Sequence, residues 1–471
     1  MKSGPLFSIH DVLAATGGIL LGGPVREGIL FEGVSTDSRQ CLPGNLFIAL
    51  QGESFDGHHY LDQAVKKGVA GLLIHQRIEK GSEDHPVILV GDTLQALGDL
   101  AHFWRRKFSP TIIAITGSSG KTTTKEMAAA ILGRGRNCLK TEGNFNNLIG
   151  LPLTLFNLKH DHTVAILELG TNQRGEIARL TRIAAPEIGL ITNIGPAHLE
   201  GFTNIAGVAE EKKDLFLSMP RSGTIIVNHD DPFLRKSGDA WTGRCISFGL
   251  KEGADVRADK ITYCHDRGTS FILHAGDAHQ EVSMPIAGEH QVMNALAAAA
   301  STWAAGATIV DIGQGLNSFS PVPGRMEVLP LNNGAYMIND TYNANPSSVG
   351  EALKTLSNLK GKGRSVVVLG DMLELGEEEE IWHQKIGGLM ADTGVDRVYL
   401  RGRLAGATAA GASQKGLPAS SVILREYPEE ITSDILSYLK GGDWILVKGS
   451  RRMKMETIVE MIVSQVGRGR R

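Results

Sequence analysis

The chain has 471 residues, 42% of them apolar, with 57 glycines and a net charge of −3; this suffices for the cores of two or three domains. Its 48 basic and 51 acidic side chains lack the positive excess that nucleic acid or an anionic membrane surface rewards, so neither is expected as a partner. No stretch approaches the roughly 18 continuous apolar residues of a membrane span, the opening Met1-Lys2-Ser3-Gly4-Pro5 leads into no apolar h-region, and a cytoplasmic location is expected. The four cysteines, Cys41, Cys138, Cys245 and Cys264, have neither zinc-site pairing nor disulfide density and read as ordinary reduced thiols. Arg468, Arg470 and Arg471 read as a solvated basic end.

The expected fold class is α/β, in three blocks. Residues 1–108 form a small α/β unit with apolar runs at Leu46-Phe-Ile-Ala-Leu50 and Gly71-Leu-Leu-Ile74, closing in a helical stretch from Leu94 to Trp104. In residues 109–322 strands and helices alternate: strand Ile112–Ile115, a helix from Thr123, strand Val164–Leu169, a helix from Glu176, strand Ile188–Thr192, a helix near Val208, and strand Thr224–Asn228. Such alternation predicts a parallel sheet covered on both faces, with ligands at the carboxyl ends of its strands. Pro321-Val-Pro-Gly324 marks a hinge. Residues 323–471 then repeat the pattern, with strands at Ala335–Ile338, Ser365–Leu369, Arg397–Leu400 and Trp444–Val447; Glu377–Glu380 reads as a solvated helix start favoured by the dipole.

The strongest local signal is Ala114-Ile-Thr-Gly-Ser-Ser-Gly-Lys-Thr-Thr-Thr124, an apolar strand entering a glycine-flanked loop that ends in Lys-Thr and opens a helix by Lys125. Gly117 and Gly120 allow Ser118, Ser119 and their neighbours to turn successive N–H groups toward an anion, at the partly positive helix N-terminus. Lys121 is placed to neutralise terminal phosphates and Thr122 to hold Mg²⁺ through its hydroxyl. Ile115 occupies the position of the first glycine of the full pattern, so this is a shortened P-loop, with an ordinary strand-to-helix turn as the alternative. Strand Val164–Leu167 delivers Glu168, a carboxylate that is costly there unless it meets a cation such as Mg²⁺. Strand Ile188–Ile191 delivers Asn193 and, past a Gly-Pro turn, His198, a candidate for metal or phosphate contact or simply a hydrogen-bonded histidine.

Taken together, Gly117-Ser-Ser-Gly-Lys-Thr-Thr123, Gly143-Asn-Phe-Asn-Asn147, Glu168-Leu-Gly170, Thr192-Asn-Ile-Gly-Pro-Ala-His-Leu-Glu200 and Gly288-Glu-His290 with Asn294 resemble the Mur ligases of peptidoglycan synthesis. Within the family, Asp340-Thr-Tyr-Asn-Ala-Asn-Pro346 and Gly370-Asp-Met-Leu-Glu-Leu-Gly376 look like the member that attaches D-alanyl-D-alanine. Near the start, Thr36-Asp-Ser-Arg39, Pro43-Gly44, Leu46-Phe47 and Phe55-Asp-Gly-His58 resemble its uridine-nucleotide-binding unit. The resemblance implies an N-terminal unit holding UDP, a central ATPase-like unit and a C-terminal Rossmann-like unit that closes over ATP. It implies amide-bond formation: ATP phosphorylates the carboxylate of UDP-N-acetylmuramoyl-tripeptide, and the amine of D-alanyl-D-alanine displaces phosphate.

By the same resemblance, residues Gly117 to Thr123 form the ATP loop, Thr122 and Glu168 ligate one Mg²⁺, and His198 helps hold a second. A carbamylated lysine would complete that second site; Glu211-Lys212-Lys213-Asp214 departs from the family's flanking residues, and alignment to Leu215 and Phe216 favours Lys212, with Lys213 as the alternative. Two lysines on a solvated helix face are the bland reading. Asn294, Arg325, Asp340 and Asn345 are candidates for the rest of ATP, although Asn345 could cap a helix and Asp340 end a strand. Gln291 stands where the family often has Asn. Thr36, Ser38 and Arg39 would meet the uridine diphosphate, and Asn144, Asn146 and Asn147 would line the path to the muramoyl peptide. Lys448-Gly-Ser-Arg451 is either an anion-binding turn or a helix entry. The family implies a monomer. The rival functions are a related ligase adding the third amino acid and a P-loop switch that makes no covalent product.

Overall fold

The computed structural model describes residues 5–21, 28–77, 85–264 and 268–469. Residues 1–4, Arg470 and Arg471, and the side chain of Cys264, lie outside them. Among the described residues the strands form four sheets. The N-terminal unit has a five-stranded sheet ordered Ile19–Leu21, Val87–Leu89, Gly71–Ile74, Leu46–Ile48, Val34–Ser35, beside a two-stranded pair. Its helix Thr93–Arg105 is capped by Asp92, whose Oδ1 accepts from Leu94 and Gln95 N–H at 2.7 and 2.9 Å.

The middle sheet has nine strands. Thr111–Thr116 lies at its switch point, pairing in parallel with Val164–Glu168 on one side and Ile188–Ile191 on the other. That point is where an open α/β sheet leaves a crevice beyond its strand ends. Alternation along Thr111–Thr116 sorts its side chains by face: Ile112 and Ala114 join one core, Ile113 and Ile115 the other. The first core is shared with Phe7, Phe31 and Leu97 of the N-terminal unit, so the two units are welded by apolar packing. Beyond Arg244–Gly249 the sheet departs from the all-parallel expectation: Val256–Cys264, Gly268–Ala275 and Ala278–Met284 form an antiparallel extension. Gly268–Ala275 alternates strictly between buried and half-buried residues, the mark of a strand with one face packed.

The C-terminal sheet runs Glu327–Pro330, Tyr336–Asp340, Trp444–Lys448, Ser365–Gly370, Arg397–Arg401, Val422–Leu424, parallel except at its first strand. Glu379 and Glu380 occupy the first turn of helix Glu379–Asp392. The helix after the P-loop begins at Lys121, earlier than the sequence suggested, because Gly120 takes a left-handed conformation and serves directly as its N-cap. Cys41, Cys138 and Cys245 are free thiols, and burial lifts Cys245 to about 11. Among the described residues no helix is long and apolar enough to cross a membrane.

Candidate active site

The carboxyl ends of the middle and C-terminal sheets face each other across a cleft of about 710 Å³. The P-loop forms one wall. Gly117 has φ 147° and Gly120 φ 81°, and a Cβ on them would fall 1.9 Å from Thr192 Oγ1 and 2.1 Å from Asn294 Oδ1. Only glycine lets the loop sit this close to its neighbours. The loop amides do not all face the cleft, contrary to the sequence reading. Ser118 N–H donates to Asn193 O at 3.0 Å and Ser119 N–H to Asn193 Oδ1 at 3.0 Å, while the Ser118 hydroxyl bonds to both N–H and O of Gly195 at 2.9 Å. Asn193 thus braces the loop, and the first turn of the helix from Lys121 is left to face an anion.

Beside it, Glu168 ends its strand and is 3% exposed. Oε2 accepts from the Thr122 hydroxyl at 2.8 Å and Oε1 from Asn146 Nδ2 at 2.9 Å. Lys121 Nζ donates to Gly117 O at 2.7 Å. Burial lowers the Lys121 pKa, the Glu168 charge opposes this and the Arg325 charge adds to it. Thr122 and Glu168 present hard oxygen donors side by side, which fits Mg²⁺. Among the described residues no three His, Cys, Asp or Glu side chains gather into a metal cluster.

Of the two adjacent lysines, helix Ile205–Ser218 turns Lys212 inward, 2% exposed, and leaves Lys213 half-buried. Burial pushes the Lys212 pKa well below its ordinary range, aided by the Lys121 charge and opposed by Glu211, which favours the neutral, nucleophilic amine. Glu211 itself is saturated: it accepts from Gly175 and Ile177 N–H at 2.7 and 2.8 Å and from the Thr171 hydroxyl at 3.1 Å. It anchors a turn, a role the sequence did not disclose.

The opposite wall comes from the C-terminal unit. Arg325 Nη2 donates to Thr122 Oγ1 at 2.9 Å, and its guanidinium stacks 4.0 Å over Tyr342. Asn345 caps helix Pro346–Leu359, with Oδ1 accepting from Ser348 N–H at 2.9 Å; its Nδ2 lies 3.4 Å from Ser118 O. Asp340 ends its strand, accepts from Met326 N–H at 3.1 Å and is ion-paired with Lys448. Lys448, which also lines the cleft, is 2% exposed and donates to Asn343 O at 2.9 Å, so its charge is matched by Asp340 within the fold. Arg451 opens a short 3₁₀ turn, the helix-entry reading of that segment, while remaining on the cleft. Asn294 Nδ2 donates to Gln291 Oε1 at 3.0 Å, so Gln291 supplies the amide that orients it. His198, on the cleft, has Nδ1 2.6 Å from Glu374 Oε2; Glu374 lies in the Gly370–Gly376 segment, to which the sequence reading assigns no individual site residue.

Asn144, Asn146 and Asn147 line the rim, with Asn147 Oδ1 accepting from Gly150 N–H at 2.8 Å. Gly117 and Lys212 are not among the residues that line the cleft wall. Thr36, Ser38 and Arg39 are not part of that wall and belong to the N-terminal unit. Ser38 donates to Gln63 Oε1 at 2.7 Å, and Arg39, 80% exposed, forks onto Asp37, which it holds at about 2.

The chain matches three family profiles: the Mur ligase family catalytic domain over residues 30–105, the Mur ligase middle domain over 115–302, and the Mur ligase glutamate ligase domain over 324–451. It is 36% identical over 443 residues to the UDP-N-acetylmuramoyl-tripeptide–D-alanyl-D-alanine ligase of Bacillus subtilis, covering 94% of this chain and 95% of that protein. Among solved structures, MurF from Acinetobacter baumannii superposes with a TM-score of 0.90 at 32% identity, covering 98% of this chain and all of that one. MurF from Thermotoga maritima in complex with ADP gives 0.83 at 30% identity, covering 92% and 97%. Likeness of this extent, along nearly the whole chain and in all three units, leaves one conclusion: the chain belongs to the Mur ligase family.

Proposed function

We propose that this chain joins D-alanyl-D-alanine to UDP-N-acetylmuramoyl-tripeptide, consuming ATP and giving UDP-N-acetylmuramoyl-pentapeptide, ADP and phosphate. The observation that carries the chemistry is the buried Glu168 carboxylate bonded to the P-loop Thr122 hydroxyl, at a cleft whose far wall supplies Arg325 to the same hydroxyl. The substrate pair is supported by the relatives that match over more than nine-tenths of the chain.

In this reading residues 1–108 hold the UDP end through Thr36, Ser38 and Arg39. Residues 109–322 hold ATP, and residues 323–471 close on it. Lys121 and Arg325 offset the repulsion between the γ-phosphate and the tripeptide carboxylate. Phosphorylation of that carboxylate yields an acyl phosphate, whose phosphate leaves readily when the dipeptide amine attacks the carbonyl. Asn144, Asn146 and Asn147 guide the muramoyl peptide toward the reacting carboxylate, which lowers the entropic part of the barrier. Asp340, Asn345 and Asn294 contact the rest of ATP, and docking of the C-terminal unit excludes water that would hydrolyse the acyl phosphate. Magnesium, held by Thr122 and Glu168, with His198 and a carbamylated Lys212 for a second ion, would supply Lewis-acid charge. The reaction is assigned to a cytoplasmic monomer.

The test is phosphate release from ATP and Mg²⁺ by purified protein, with UDP-N-acetylmuramoyl-tripeptide offered with and without D-alanyl-D-alanine. Release that needs both, with product mass increased by the dipeptide less water, is the expected result. Release with a dipeptide precursor and a free amino acid instead would move the assignment to the preceding ligase.

A further inference from the structure

We infer that Glu374 is the positioning residue for His198, and that it reaches the histidine only because the C-terminal unit is docked against the middle one. His198 follows the middle-sheet strand Ile188–Ile191, lines the cleft and begins the short helix Leu199–Phe202. Glu374 lies in the connection after the C-terminal strand Ser365–Gly370. Their side chains meet at 2.6 Å between Nδ1 and Oε2. Both residues have left-handed backbones, φ 53° and 64°, which non-glycine residues adopt only where surrounding structure enforces it.

That enforcement is visible on each side. The loop carrying Glu374 is pinned from within its own unit: Leu373 N–H donates to Ser450 Oγ at 2.8 Å, and Met372 N–H to His383 Nε2 at 3.0 Å. His383 Nδ1 in turn lies 2.7 Å from Glu379 O. Across the junction Glu200 N–H reaches Glu374 O at 3.4 Å, and Leu199 and Phe202 share an apolar core with Leu375. A Cβ on Gly376 would sit 3.3 Å from Glu200 Cα, so the two segments are in close contact.

A carboxylate accepting from Nδ1–H fixes the imidazole tautomer and leaves Nε2 with its lone pair available on the cleft side. His198 is thereby presented by one unit and oriented by the other, and the site is complete only in the docked arrangement. This rests on the ligase reading above.

The test combines a double-mutant cycle with imidazole NMR. In protein free of metal and nucleotide, at a pH high enough that the rings are neutral, ¹⁵N-histidine spectra should show one ring with Nδ1 protonated and Nε2 bare, assigned by its loss in His198→Gln. Glu374→Ala should shift that ring toward the other tautomer. In the phosphate-release assay, E374A should lower kcat about 10- to 100-fold, the usual effect of losing a carboxylate behind a functional histidine, with KM for ATP little changed. E374Q, whose amide oxygen still accepts from Nδ1–H, should recover most of the loss, and E374A should add almost nothing in the H198Q background. Should E374A fail to fold, E374Q carries the same cycle, its smaller loss vanishing in H198Q. Wild-type kcat in E374A, losses that multiply in the double variant, or an unchanged ring tautomer would overturn the inference. Failure of the wild-type protein to release phosphate would overturn the ligase reading instead.

Discussion

The middle and C-terminal sheets present the same kind of surface to one cleft, the carboxyl ends of parallel strands, yet their polar residues are committed differently. On the middle side Thr122, Glu168 and Asn146 bond to one another in a buried chain that leads from the P-loop to the substrate rim. On the C-terminal side Asp340 is paired with Lys448 and Asn345 caps a helix. The first arrangement links the P-loop to the neighbouring strand end and loop; the second makes cleft residues part of the C-terminal unit's own support. Removing Lys121 should therefore cost activity, and removing Lys448 should cost stability first.

The sharpest way to break that contrast is Lys448→Met, which leaves Asp340 buried without its cation. A loss of about 3–5 kcal/mol in urea unfolding is expected, with D340N in the same chain restoring part of it; an unchanged midpoint would sink the assignment of this pair to the fold. On the other wall, Lys121→Ala should lower kcat/KM by roughly 10²–10³-fold, the effect of removing one preorganised electrostatic contact. Its unfolding midpoint should fall less than that of Lys448→Met, because burial disfavours the ammonium it removes while the bond to Gly117 O is lost. Gly120→Ala should cost about 1–3 kcal/mol of stability and weaken ADP binding in calorimetry, since the new Cβ meets Asn294 and the left-handed φ persists.

Lys212 gives a test through pH. Its folded-state pKa lies well below the ordinary 10.5, so between the two values the unfolded chain holds the extra proton. Wild-type stability should then rise with pH through that window and level off above 10.5. In bicarbonate-free buffer Lys212→Met should abolish this contribution and be more stable than wild type at the lower end of the window. An identical pH slope in both proteins would mean that Lys212 is not desolvated. The smallest structural effect belongs to Arg39→Ala. Exposed and paired only with Asp37, Arg39 should leave the unfolding midpoint unmoved while raising KM for the uridine substrate about tenfold, one charge-assisted contact; an unchanged KM would remove it from the nucleotide site.

Much of this was legible before the coordinates. The strand-loop-helix signature of residues 114–124 and the carboxylate after Val164–Leu167 are local patterns, set by glycine freedom and by alternation between two cores. The antiparallel extension 256–284 is not among the elements read from the sequence: its strands are longer than the parallel ones but carry polar and charged residues on their open face, so they lack the continuous apolar run that marks a strand buried on both faces. The bracing of Ser118 and Ser119 by Asn193, and the saturation of Glu211 by a turn 34 to 40 residues away in sequence, involve partners that no spacing rule pairs.

The sequence by itself determined the parallel α/β class, the phosphate loop and the candidates at the strand ends, because each depends on residues within a turn or a strand of one another. Only the tertiary structure shows that Lys212 is buried and Lys213 half-buried, a difference set by which side of one helix meets the core. It also decided that Lys448 answers Asp340, 108 residues away, and that His198 meets Glu374, 176 residues away. Contacts of that range are fixed by how finished sheets dock, through burial and charge pairing summed over whole surfaces, and no local stretch of chain encodes them alone.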